Sequence, residues 1–196
     1  FGQKTGIDLE GEATGLLPSQ AWKRARFKNS KNPRRGDWVP GETISLGIGQ
    51  GYNNFTMLQL AHAVSILASG GMNYRPHLAV ATQDMATGQR TPLPQPAPIA
   101  MGFKPENIAI VRHAMIGVTQ EGTSRRAFTG AKYISAGKTG TAQAVTMGQH
   151  EKYNAAKLEE HMRDHALYIA FAPAENPTIA LAVIGLLVFG TRGRAI

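Results

Sequence analysis

The sequence predicts an α+β fold, an antiparallel sheet packed with helices. Three observations carry this. Residues 167–172 and 178–188 are apolar runs separated by Pro173-Ala174-Glu175-Asn176-Pro177, the pattern of a hairpin with a short Pro-bounded loop. The segment from Tyr133 through Ala136 to Gln143 reads as extended and supplies a third neighbouring strand. Met57, Leu60, Ala61, Val64 and Leu67 recur at helical spacing, so at least one helix has an apolar face to lay on that sheet.

In chain order, residues 6–19 are turn-rich and irregular. Pro40-Gly41 signals a turn before a short apolar stretch. Gly47, Gly49 and Gly51 follow at alternate positions, a spacing that is not the dinucleotide fingerprint. Thr56 with Gln59 forms a capping-box pair at the start of the clearest helix, and Gly70-Gly71 stops it. His62 on this helix reads as a satisfied or exposed histidine. Residues 76–80 suggest a strand. Pro92, Pro94, Pro96 and Pro98 alternate in a stiff, extended spacer. A second helix is expected over 105–118, with Pro105 in its first turn and Ile108, Val111 and Met115 on one face. Residues 120–124 form a polar loop, and a charged helix is expected over 154–164.

Composition sets outer bounds. The chain has 196 residues, 42% hydrophobic and 17% charged, with 22 Gly and 11 Pro. That suits one domain with a core, or a large piece of a bigger one. The longest apolar run, from Ile179 to Phe189, is about eleven residues, and a membrane span needs roughly 20. The opening on Phe1-Gly2 reads as the interior of a longer protein. There is no cysteine, which excludes disulfides, zinc ribbons and thiol nucleophiles. Lys and Arg total 21 against 13 Asp and Glu, and seven of the cations lie between Lys23 and Arg35. With Trp22, Phe27 and Trp38 interleaved, this cluster raises a polyanion-binding surface as one reading and a solvated loop as the plainer one. His161 and His165 stand four apart, but the Glu of a zinc-protease helix is replaced by Met162 and a third ligand is not evident, so they read as structural or surface histidines. Glu159, Glu160, Arg163 and Asp164 read as a solvated face, and Tyr52 and Tyr153 as packing or cleft-lining residues.

Lys138-Thr139-Gly140-Thr141 is the tetrad that carries chemistry. A phosphate loop ending at Thr139 would need Gly at position 132, which is Lys. On a strand the tetrad has other uses. Lys138 can hold an acidic substrate terminus and ease proton transfer at a nearby nucleophile. Thr139 and Thr141 share a face because strands have period two. Gly140 allows close approach of a neighbour. The Thr141 amide can supply half of an oxyanion hole. The expectation is that the lysine and both hydroxyls look into one groove.

Lys-Thr-Gly on a strand is the third motif of the serine acyltransferases of the β-lactamase and penicillin-binding group. The chain as a whole resembles a class B penicillin-binding protein of the cell-elongation type. The resemblance is carried by Phe1-Gly2 with Thr5-Gly6-Ile7-Asp8, Gly15-Leu16-Leu17-Pro18, Gly47-Ile48-Gly49-Gln50-Gly51-Tyr52, Pro76-His77-Leu78, Lys138-Thr139-Gly140-Thr141-Ala142-Gln143, Tyr153-Asn154-Ala155, and Arg163-Asp164-His165 leading into Phe171-Ala172-Pro173.

The resemblance implies a D,D-transpeptidase domain at the periplasmic face of the bacterial inner membrane, anchored by an N-terminal helix. It implies that a serine attacks D-Ala-D-Ala stem peptides of peptidoglycan and that β-lactam antibiotics trap the same serine. It implies no metal or organic cofactor, no nucleic acid, and a membrane glycosyltransferase of the elongation machinery as partner. Lys138 is then the catalytic cation, and Thr139, Gly140 and Thr141 bind substrate. Ser-x-x-Lys occurs only as Ser135 to Lys138, overlapping the strand motif, so the nucleophile is expected upstream and residues 1–196 are read as the C-terminal portion of one transpeptidase domain, inert alone. Residues 185–196 depart from the family pattern. Two rivals remain at this point: a polyanion-binding or cell-wall interaction module built on residues 23–35, and an interaction protein whose catalytic strand is a relic.

Overall fold

The computed structural model describes residues 1–142, 159 and 163–186. Helices α1 (Gln20–Arg26), α2 (Pro40–Gly47) and α3 (Met57–Ala68) come first. Four short strands follow, β1 (Met72–Asn73), β2 (Ala81–Gln83), β3 (Arg90–Pro92) and β4 (Ile99–Ala100). Then come α4 (Pro105–Gln120), α5 (Arg125–Phe128) and the long strands β5 (Ala136–Ala142), β6 (His165–Ala172) and β7 (Ile179–Leu186).

The three long strands form an antiparallel sheet in the order β5-β6-β7. Ala136 pairs with Phe171 and Ala142 with His165, while Phe171 pairs with Ala180 on the other side. Ala136 and Phe171 are fully buried and meet Val64 and Ala68 of α3 and Met115 of α4. Residues that oppose each other across strands share a sheet face, so Ile169 and Ala180 join this cluster while their neighbours Tyr168 and Ala170 face the other way. The second face is apolar and open at β7, where Ile179 and Val183 are 59% and 53% exposed. The hairpin, the third strand and the helix-on-sheet arrangement are those the sequence predicts.

The α3 cap forms as expected: Gln59 N donates to Thr56 Oγ1 and Thr56 N to Gln59 Oε1, both at 3.1 Å. Buried Gln59 does more, donating from Nε2 to the carbonyls of Gln3 and Thr14 at 2.7 and 2.8 Å. One side chain thus ties the irregular N-terminal segment to the helix. His62 Nε2 lies 2.8 Å from Asn73 Oδ1 and 3.0 Å from the Tyr74 carbonyl, a satisfied histidine.

Four expectations are corrected. Residues 76–80 are not a strand. The Asp8 carboxylate accepts from the Leu78 and Ala79 amides at 2.7 and 2.8 Å, so these donors serve a side chain instead of a ladder. Those two bonds, Ala79 first, hold the Asp8 pKa below the usual carboxylate range. Pro40-Gly41 opens a helix, not a turn: Pro40 sits at the start of α2, and Glu42 Oε2 accepts from Val39 N at 2.9 Å. Val111 is exposed, and Arg112 takes its place on the inner face of α4. Its guanidinium donates to the Ala68 and Ala174 carbonyls at 3.3 and 2.8 Å and lies 5.4 Å from the centre of the Phe171 ring. The cation satisfies a carbonyl left over at the C-terminus of α3.

The basic cluster is the fourth correction, and only in part: six of its seven cations are exposed, as the solvated reading expects, but Lys23 is internal and the segment is helical over Gln20–Arg26 and Pro33–Gly36. Lys23 is 5% exposed; its Nζ donates to Glu42 Oε1 and to the Asp37 carbonyl, each at 2.5 Å. Arg35 stacks 4.7 Å from the centre of the Phe27 ring, and Trp22 and Phe27 both pack on Tyr52. Of the charged helix expected over 154–164, Glu159, Arg163 and Asp164 are described and are not helical, and His165 opens β6. Gln143, Tyr153, Glu160, His161 and the tail from 187 lie outside the described residues. No helix among the described residues is long and apolar enough to cross a membrane.

A candidate active-site wall on the edge strand

The tetrad lies wholly within β5, which is an edge strand among the described residues. An edge strand presents a row of unpaired amides and carbonyls. Lys138 lies opposite Ile169, and Thr139 opposite Tyr168. The strand alternation therefore places Lys138 on the helix-packed face and Thr139 with Thr141 on the other. What the three residues share is the open edge between those faces. Lys138 Nζ crosses back over it to the Thr139 carbonyl at 2.6 Å, so Thr139 accepts the cation through its backbone. Lys138 and Thr141 are exposed and Thr139 is half-buried.

Thr139 is held from a second side. Its Oγ1 lies 3.0 Å from Thr123 Oγ1, in the loop between α4 and α5. That loop was expected only to be polar.

The tighter steric constraint on the strand falls at Gly137, one residue before the tetrad, and not at Gly140. A Cβ at Gly140 would make ordinary contact with Leu167, at 3.4 Å from its Cβ and 4.0 Å from its Cδ1. At Gly137 a Cβ would stand 2.1 Å from Tyr168 Oη and 2.5 Å from its Cζ. The tyrosine crosses β5 where side-chain bulk is absent, with Phe128 stacked 6.3 Å from it on the outer side. Burial pushes the Tyr168 phenol up; Ser124 stands near enough to pull the other way, yet Tyr168 Oη has no partner within hydrogen-bond geometry. The signal that could have found this pair is a glycine next to the tetrad, with an aromatic residue in the strand that must pair with it.

Gly137→Ala is expected to lose about 1–3 kcal/mol of stability, since it forces the Tyr168 ring off a packed position. Urea unfolding checks this. Tyr168→Phe removes the nearest clashing atom, so the double variant should lose less than the sum of the two single variants.

Ser135 and Lys138 are not arranged as a helical Ser-x-x-Lys pair. That spacing brings two side chains together on a helix, whereas on an extended segment it sends them to opposite faces. Ser135 is 4% exposed and Lys138 Nζ is engaged with Thr139. Two surface depressions, of about 400 Å³ beside Arg112 and His113 and about 340 Å³ beside Arg125 and Phe128, do not include the tetrad. Among the described residues no cluster of three His, Asp or Glu stands in metal-binding geometry.

Residues 1–185 match the family described as the penicillin binding protein transpeptidase domain. The chain is 43% identical over 187 residues to the peptidoglycan D,D-transpeptidase MrdA of Acinetobacter baumannii, covering 94% of this chain and 26% of that protein. Among solved structures, it is similar to PBP2 of Pseudomonas aeruginosa in complex with WCK 5153, at 39% identity and a TM-score of 0.67 over 95% of this chain and 36% of that one. It is also similar to PBP2 of Helicobacter pylori in its complex with MreC, at 31% identity and a TM-score of 0.69 over 94% of this chain and 29% of that one. The chain thus spans about a quarter of the length of the curated relative. Two motifs that are distant in sequence also meet in space: the Asp8 carboxylate of the first accepts from the Leu78 amide of the fourth at 2.7 Å. An α+β sheet with the tetrad on its open edge, and a family match over nearly all of the chain, place this protein in the penicillin-binding protein transpeptidase family.

Proposed function

We propose that this chain is the C-terminal portion of a peptidoglycan D,D-transpeptidase domain and forms one wall of its acyl-transfer site. The observation that carries the proposal is the position of Lys138-Thr139-Gly140-Thr141 on an open strand edge. A carbonyl that accepts from a lysine amine is one turned to that edge, and with period two the Thr141 amide is carried to the same side. There it serves as one donor to the oxyanion of the tetrahedral intermediate. Lys138 supplies the positive field, and the Thr139 and Thr141 hydroxyls bind the carboxylate of the stem peptide or of a β-lactam. Gly140 leaves the ligand room against the strand.

The serine that opens D-Ala-D-Ala lies, on this reading, outside residues 1–196, as Ser135 is sealed and turned from Lys138. It attacks the peptide carbonyl, the terminal D-alanine leaves, and an amine of a neighbouring stem takes the acyl group. The open edge of β5 and the exposed Ile179 and Val183 are surfaces that the rest of the domain would border or cover. The site belongs at the periplasmic face of the inner membrane, with a membrane glycosyltransferase of the elongation machinery as partner of the complete protein.

Labelling with a fluorescent penicillin tests the proposal. The full-length protein carrying this chain should take a covalent label, and the chain alone should take none. A label on any serine of the isolated chain would overturn the placement of the nucleophile, and an unlabelled full-length protein would overturn the function.

A further inference from the structure

We infer that Thr123 is a positioning residue for carboxylate recognition, acting through the Thr139 hydroxyl. The inference rests on the reading of Thr139 as a carboxylate ligand. A threonine hydroxyl has one proton to donate and lone pairs to accept. In the pair at 3.0 Å either oxygen can donate. If Thr139 donates to Thr123, its proton is turned away from the ligand. With Thr123 as donor, Thr139 accepts from behind and its own proton is free for the carboxylate, strengthened by the bond it receives.

The support behind Thr123 is rigid, as that task requires. The amides of Glu121 and Gly122 both donate to the Gly117 carbonyl at 2.9 Å, and that of Ser124 to the Val118 carbonyl at 3.1 Å. A Cβ at Gly122 would stand 2.8 Å from Val118 Cα, so only glycine allows the chain to turn this tightly against α4. Ser124 is 5% exposed and anchors the far side of Thr123. The Arg125 amide then donates to the Gly122 carbonyl at 3.1 Å and opens α5. Thr123 is thus fixed to the C-terminus of α4, while the backbone of Thr139 is fixed by β6. The hydrogen bond between them joins two independently held elements at the side chain proposed to meet the ligand.

The experiment compares acylation rates of the full-length protein by a β-lactam carrying its free carboxylate and by the neutral methyl ester of the same compound. Thr123→Val keeps the shape and removes the donor. It should slow the carboxylate compound by up to about tenfold, the upper range for one lost hydrogen bond between neutral groups, and leave the ester unchanged. Thr123→Ser should restore the wild-type preference. Equal slowing of both compounds, an unchanged rate for the carboxylate compound, or failure of serine to rescue would each overturn the inference. Thr139→Val separates this result from the reading beneath it. If Thr139→Val abolishes the preference for the carboxylate and Thr123→Val does not, only the role of Thr123 fails. If Thr139→Val leaves the preference intact, both fail.

Discussion

Lys138→Ala in the full-length protein is expected to lower the rate of penicillin acylation by about 10²–10³-fold, the usual loss when a fixed electrostatic donor is removed from an acyl-transfer site. Its side chain is exposed, and the hydrogen bond it makes among the described residues goes to the Thr139 carbonyl. Alanine there should change stability by no more than about 0.5 kcal/mol, as for exposed positions generally. Loss of labelling with an unchanged urea midpoint therefore reports on the chemistry. Lys138→Arg should not rescue fully, because a planar fork replaces a compact point charge at an edge fitted to the smaller group. Retained labelling in the alanine variant would remove Lys138 from the site.

The largest expected effect on stability lies far from the tetrad in sequence. Glu42→Gln should cost about 3–5 kcal/mol, because it leaves the Lys23 ammonium buried without its counter-charge. Glutamine keeps an oxygen to accept from the Val39 amide, so the α2 cap survives and the loss reads the ion pair. With Lys23→Met added, most of the stability should return, since an apolar side chain of similar length replaces the stranded charge. Urea unfolding and limited proteolysis of residues 20–47 measure both effects. A double variant as unstable as Glu42→Gln alone would show that the loss came from something other than the unpaired cation.

What could be read from the sequence was what periodicity and paired signals encode. The hairpin at β6 and β7, the α3 capping box and the extended tetrad were legible because each depends on residues close in sequence. The second helix was legible in extent but not in its inner face. There Arg112, which apolar spacing disfavours, reaches carbonyls of α3 and of the β6–β7 turn that only the folded state supplies. The strand expected at 76–80 failed for a similar reason, since its donors belong to Asp8, some seventy residues away. Lys23 looked like the rest of its solvated cluster because nothing local shows that it meets Glu42.

At the site, the tetrad was legible as a motif, but its geometry was not. Period two already implied that Lys138 and Thr139 point apart; the missing fact was that β5 ends the described sheet, so that both faces border one edge. Gly137 drew no attention beside the Lys-Thr-Gly motif because its constraint comes from Tyr168 across the strand. Thr123 drew none because a polar loop gives no sign of which hydroxyl it will touch.

The central claim, that the edge of β5 binds the ligand, is tested most directly by a crystal structure of the full-length protein acylated by a penicillin. The account predicts the antibiotic's carboxylate within hydrogen-bond distance of the Thr139 and Thr141 hydroxyls and its acyl oxygen on the Thr141 amide. An adduct whose carboxylate and acyl oxygen contact no atom of β5 would contradict it.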